Sequence, residues 1–241
     1  MTSQKKYIVS LGVDISNNDV RTNPKINKVV DSEVKKRLSK LGIKSCISNI
    51  TGDDIVITSF VPENLIEKNN KIIFDILKEH AEGFSDLNGI SDTEEEAGEG
   101  ISYAIAEATS EYGDALIVAF DTYGGESFVD EIALFVKEIG EKFGYDVGCS
   151  VSNTARKIPG VGYTGAESDD PVVIITTKNL EDISKIACLI YGGLLNYDRL
   201  YFVKRGEGAD ILPPGVVYTI SAFLNGNVID LYEGIKKRVK F

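Results

Sequence analysis

Hydrophobic and polar positions along the chain spell one order of elements two times. The β-rich segment 7–15 (YIVSLGVDI) precedes a stretch at 23–42 with Pro24 near its start. That stretch carries Ile26, Val29, Val30, Val34, Leu38 and Leu41 at helical spacing, and Gly42 stops it. The segments IKSCISNI and DIVITSF read as strands either side of Thr51-Gly52-Asp53, a tight hairpin turn. A second helix is predicted over 62–83, from Pro62 to Gly83. Further on, DALIVAFD (114–121) reads as a strand and 126–144 as a helix. YDVGCSVSN and PVVIITT then read as strands, and 179–195 as a helix.

Both passages therefore read β-α-β-β-α. Asn64-Leu65 and Asn179-Leu180 open the last helix of each, Cys46 and Cys149 take equivalent strand positions, and the acidic pairs Asp53-Asp54 and Asp169-Asp170 precede each third strand. The expected fold is α+β: internally duplicated ferredoxin-like β-α-β-β-α units, with antiparallel or mixed sheets and helices on one face, packed edge to edge or back to back. Residues 1–83 form the first unit. Residues 84–113 form an acidic, glycine-rich linker, solvated or mobile, followed by a short helix over 101–113. Residues 114–241 form the second unit with additional C-terminal strands, including a hairpin turning at Asn225-Gly226.

Composition narrows the function classes. With 37 acidic against 26 basic residues the net charge is −11, which argues against nucleic acid and anionic membrane as partners. The basic run 236–240 suits a helix C-terminus. Apolar runs are strand-sized, and the first residues read as no signal peptide, so the expected location is the cytoplasm. Cys46, Cys149 and Cys188 lack metal or CxxC spacing and read as reduced thiols. His80 is the sole histidine, near a helix end, which leaves acid–base work to Asp, Glu, Lys or Tyr.

The second unit is the more elaborate. Its hairpin turn has grown into 154–168, holding Gly160, Gly162, Gly165, Tyr163 and the cations Arg156 and Lys157. Glycine backbone beside two cations suits a local anion site, the other reading being a surface excursion. The turn 121–128 feeds a helix with Gly124, Gly125 and Ser127, without the spacing of a phosphate-binding fingerprint. A third loop, 204–215, carries Lys204 and Arg205. If it faces 154–168, the four cations converge on one cleft. Replacing Arg156 and Lys157 by alanine would then abolish anion affinity at little cost in stability.

Carboxylates are the other chemistry. Asp121 ends the first strand of the second unit and Asp169-Asp170 open its third; Asp14 with Asp53-Asp54 repeats the pattern. The layout is similar, in topology alone, to two-metal palm and cyclase domains, with turn-forming aspartates as the alternative. An antiparallel course is expected to set Asp121 and Asp170 at opposite ends of their strands.

The sequence thus points to a cytosolic enzyme acting on a small anionic metabolite, phosphorylated or nucleotide-like. Asp121, Asp170 and Tyr163 are its catalytic candidates, and the glycine-rich loops of the second half are its ligand-binding ones. The metal ligands stay open, and Mg2+ is the candidate cofactor. A small-molecule-sensing module without catalysis, or a subunit of a homo-oligomer, are the alternatives.

Overall fold

A computed structural model describes residues 4–17, 20–82, 86–98, 100–122, 128–150, 156–165, 170–210 and 215–238. Among the described residues the fold is mixed α+β, with antiparallel sheets and five α-helices. The first sheet is built from β1 (Lys6–Asp14), β2 (Lys44–Thr51), β3 (Asp54–Pro62) and β4 (Ser102–Glu107), in the order β2-β3-β1-β4, every pair antiparallel. Helices α1 (Pro24–Ser39) and α2 (Ile66–His80) cover one face of it. Val30, Val34, Leu38, Ile73, Ile76 and Leu77 pack there on Val9, Leu11, Ile55 and Ile57.

The second sheet contains β5 (Ala115–Thr122), β6 (Val147–Cys149), β9 (Val172–Thr176), β10 (Leu200–Phe202), β11 (Val216–Leu224) and β12 (Asn227–Asp230). Its order is β10-β11-β5-β9-β6, with β12 paired on β11; β10 alone runs parallel to its neighbour. Helices α3 (Phe128–Lys142), α4 (Leu180–Leu194) and α5 (Tyr232–Arg238) bury their apolar stripes on its outer face. The hairpin turn at Asn225-Gly226 is formed with both residues at positive φ, 52° and 85°.

The two sheets pack face to face. Ile8, Cys46, Val56 and Phe60 of the first meet Ile117, Ala119, Val172, Ile174 and Phe223 of the second, giving four layers with helices outside. Polar side chains join this seam: Asn49 Nδ2 donates to Thr219 Oγ1 at 2.9 Å, and the Thr51 and Thr219 hydroxyls lie 2.6 Å apart.

Two expectations need correction. Residues 102–107 form a strand, not a helix, because Ser102, Tyr103, Ala104 and Ala106 are all buried, as a strand with two covered faces requires. The acidic segment is not a solvated tether throughout. Residues 86–89 form a 3-10 turn, and Ser91 exchanges backbone hydrogen bonds with Tyr163 at 3.0 and 2.7 Å. The 154–168 excursion contains a small hairpin, β7 (Arg156–Ile158) and β8 (Gly162–Thr164). No helix among the described residues is long and apolar enough to cross a membrane.

Candidate metal centre

Antiparallel pairing brings the acidic pairs together. Along β1 and β3 the register sets Asp14 opposite Asp54. In the second sheet Ala119 lies opposite Val172, and two residues further Asp121 comes beside Asp170, whose Oδ1 accepts from Thr122 N at 3.0 Å. The expectation that antiparallel strands separate Asp121 from Asp170 is thus wrong: the end of one strand adjoins the start of its neighbour. Face-to-face packing then stacks one pair over the other. One carboxylate oxygen from each of Asp54, Asp121 and Asp170 lies within 4.8 Å of the other two.

The surroundings hold these groups in place. Asp86 Oδ2 accepts from Asp14 N at 2.7 Å, and Ser102 Oγ donates to the Asp170 carbonyl at 2.7 Å. Gly52 (φ +57°) closes the β2–β3 turn against Asp121; a Cβ there would lie 1.3 Å from Asp121 Oδ2. The next residue, Asp53, donates its N–H to that same oxygen at 3.3 Å. Only a residue without a side chain lets the turn come this close.

Asp54 and Asp121 are each 3% exposed, and both carboxylate oxygens of Asp54 are buried without a hydrogen-bond partner. Burial first, then the charges of Asp170, Asp121, Asp53 and Asp86, push Asp54 well above the ordinary carboxylate range. Burial, with Asp170 and Asp53, lifts Asp121 to about 10. A buried carboxylate needs a cation or donors as partners. The charged groups nearest Asp54 are other carboxyls, so an all-oxygen donor set faces itself, and Asp54 and Asp121 keep their protons when no cation is bound. That set fits a hard divalent cation, Mg2+ or Mn2+ above soft metals.

The sequence-derived candidates disperse. Asp121 and Asp170 belong to the cluster. Asp54 enters the sequence reading as half of the Asp53-Asp54 pair that repeats the acidic layout of the second unit, but not among its catalytic candidates, and Asp86 is hidden among the other acids of the linker. Gly124, Gly125 and Ser127 lie outside the described residues, as does Asp169. Tyr163 sits on β8, its ring beneath the Lys157 ammonium at 5.6 Å. Gly160 packs on the Glu67 backbone and Gly162 on that of Ser91, while Gly165 N–H bonds to the Gly98 carbonyl.

The four cations do not share one cleft. Arg156 Nη1 donates to the carbonyls of Tyr103 and Cys149, at 2.6 and 2.8 Å. Arg205 Nε and Nη2 donate to those of Ser48 and Ile47, at 3.1 and 2.9 Å. Each arginine thus ties the edge of a sheet, and Lys204 pairs with Glu233 at 2.7 Å on the surface.

A family model described as "Uncharacterised conserved protein UCP005278" matches residues 7–239. The chain belongs to this family. Among its relatives, "Uncharacterized protein MJ1676" of Methanocaldococcus jannaschii is 76% identical over 237 residues, 98% of this chain and 100% of the relative. An "Uncharacterized protein" of Methanothermobacter thermautotrophicus is 38% identical over 236 residues, 97% of this chain and 96% of the relative. The family model and both alignments extend through both sheets.

Proposed function

We propose that the protein is a cytoplasmic enzyme that uses a divalent cation, held by Asp54, Asp121 and Asp170, to act on a small phosphorylated metabolite. The observation that carries this reading is the Asp54 carboxylate, buried, without hydrogen-bond partners and directed at two further acids. A bound divalent cation would neutralise substrate phosphate and lower the pKa of a coordinated water. The protein's own part is to orient and exclude water. Asp170 is fixed by the Thr122 N–H, Asp121 by the Asp53 N–H, and Asp54 by its burial at the head of β3. Asp53 and Asp86 add negative charge close by, suiting a second cation or a proton acceptor.

The architecture is read as two ferredoxin-like units in one chain, each giving one Asp–Asp pair to the centre. The order β2-β3-β1-β4 in the first sheet and β6-β9-β5-β11 in the second supports this, the two successions corresponding strand for strand.

The test is calorimetric titration of Mg2+ and Mn2+ into the wild type and Asp54→Asn, with phosphate release from a panel of phosphate monoesters. Saturable cation binding lost in the variant, together with metal-dependent turnover, is the expected result. Absence of cation binding would overturn the reading, and binding of cation and phosphate monoester without turnover would make the protein a sensing module.

A further inference from the structure

We propose that residues 20–22 and 207–210 form a latched cover over the Gly52 turn, and that its opening sets how fast a divalent cation enters and leaves the centre; this rests on the metal reading above. Asp54 and Asp121 are each 3% exposed, and both Asp54 oxygens are buried. A cation reaches that pair only when a covering element moves. The Gly52 turn is such an element, since it lies directly on Asp121 Oδ2. Ala209, itself buried, packs against the same point, its Cβ 3.3 Å from where a Gly52 Cβ would stand.

Few bonds hold the cover shut. Gly52 N–H donates to the Glu207 carbonyl at 3.1 Å, and the Gly52 carbonyl accepts from Thr22 N–H at 3.2 Å. The two covering segments join through Ala209 N–H, which donates to the Val20 carbonyl at 2.8 Å, and through an ion pair. In that pair Arg21 Nε lies 3.4 Å from Asp210 Oδ1, and Nη2 donates to Oδ2. Gly208 makes room for it: a Cβ there would overlap Arg21 Cγ and Nε, so only a residue without a side chain lets the arginine lie across to Asp210.

The base of the loop is fixed by contrast. Gly206 N–H donates to the Ile50 carbonyl at 2.8 Å, and the Arg205 guanidinium to the carbonyls of Ile47 and Ser48. Motion therefore falls to 207–210 and the turn it holds. The Arg21 and Asp210 side chains are 63% and 53% exposed, and a pair this exposed adds little to global stability. Its weight falls on the local opening equilibrium, which rests on these few contacts. The closed form prevails with or without the pair, so the latch acts on the rates of cation exchange and leaves the affinity alone.

The experiment compares the wild type with Asp210→Arg, which sets two like charges face to face, and with the charge swap of Arg21→Asp and Asp210→Arg together. In EDTA, NMR-detected amide exchange of Thr22, Gly52 and Ala209 should quicken roughly tenfold in Asp210→Arg. Exchange at Val34 and Leu38 of α1 and the melting temperature should stay unchanged. Release of Mn2+ into excess EDTA, followed by stopped flow with an indicator dye, should quicken by the same factor at an unchanged calorimetric Kd. The charge swap should restore both rates. Unaltered exchange, or a swap that restores nothing, would overturn the proposal. So would quickened exchange with wild-type release, the result expected if cations pass by the partly exposed Asp170. A wild type that binds no Mn2+ would overturn the metal reading and the latch together, whereas Mn2+ binding with unaltered release overturns the latch alone.

Discussion

Replacing Asp54 by asparagine should stabilise the metal-free protein and remove its response to metal. The two side chains are nearly isosteric, so packing at the head of β3 is kept and charge is the main change. Two carboxylate pairs no more than 4.8 Å apart repel by about 3.5 kcal/mol each at an effective dielectric near 20. Retained protons on Asp54 and Asp121 relieve most of that repulsion, as the raised affinities of both groups show. The asparagine amide can also donate to the facing acids. A net gain of about 1–3 kcal/mol remains, the scale of one buried unsatisfied polar group. For a chain of this size that is a rise of roughly 2–12 °C in Tm in EDTA. In wild type, Mn2+ at a hundred times its Kd adds about 2.7 kcal/mol, roughly 5–11 °C more. The variant should show almost none of that second shift. Differential scanning calorimetry with EDTA or MnCl2 reads both numbers. A variant that melts lower in EDTA and keeps the full metal shift would refute the electrostatic reasoning.

Further outcomes follow from neighbouring contacts. Gly52→Ala places a methyl group into Asp121 Oδ2 at a positive φ, so Tm should fall by roughly 4 °C or more and Mn2+ affinity with it, measured by the same scans. Arg205→Ala and Arg156→Ala each remove two charge-assisted bonds to edge-strand carbonyls and should each cost about 2–3 kcal/mol in urea melts. That reverses the sequence-based expectation that Arg156 is dispensable for stability. Cys46 is buried and its thiol is pushed up to about 12; at pH 8 its thiolate fraction is on the order of 10⁻⁴. Native alkylation at pH 8 should therefore modify the half-exposed Cys149 and Cys188 and spare Cys46 until the chain is unfolded, as peptide mass spectrometry would show.

Most elements were legible because their hydrophobic period is unambiguous. The stripe of Val30, Val34 and Leu38 on α1 and the alternation through β1–β3 leave little choice of structure, and Thr51-Gly52-Asp53 and Asn225-Gly226 name their own turns. Strand β4 was misread because its alanines favour helix locally, whereas burial between β1 and the opposing sheet decides the matter. At the site, Asp121 and Asp170 were visible as acids at strand ends. Their meeting with Asp54 depends on how two sheets stack, which no local pattern encodes. The cations misled for a related reason: Arg156 and Arg205 look available in a loop sequence, yet each donates to a carbonyl far along the chain, 53 and 157 residues away.

The proposed metal centre takes Asp54 from before the acidic segment and Asp121 and Asp170 from after it, so neither half of the molecule owns the complete carboxylate cluster. Severing the backbone near residue 110 would leave each fragment with an incomplete donor set, and cation binding would reappear only on reassembly.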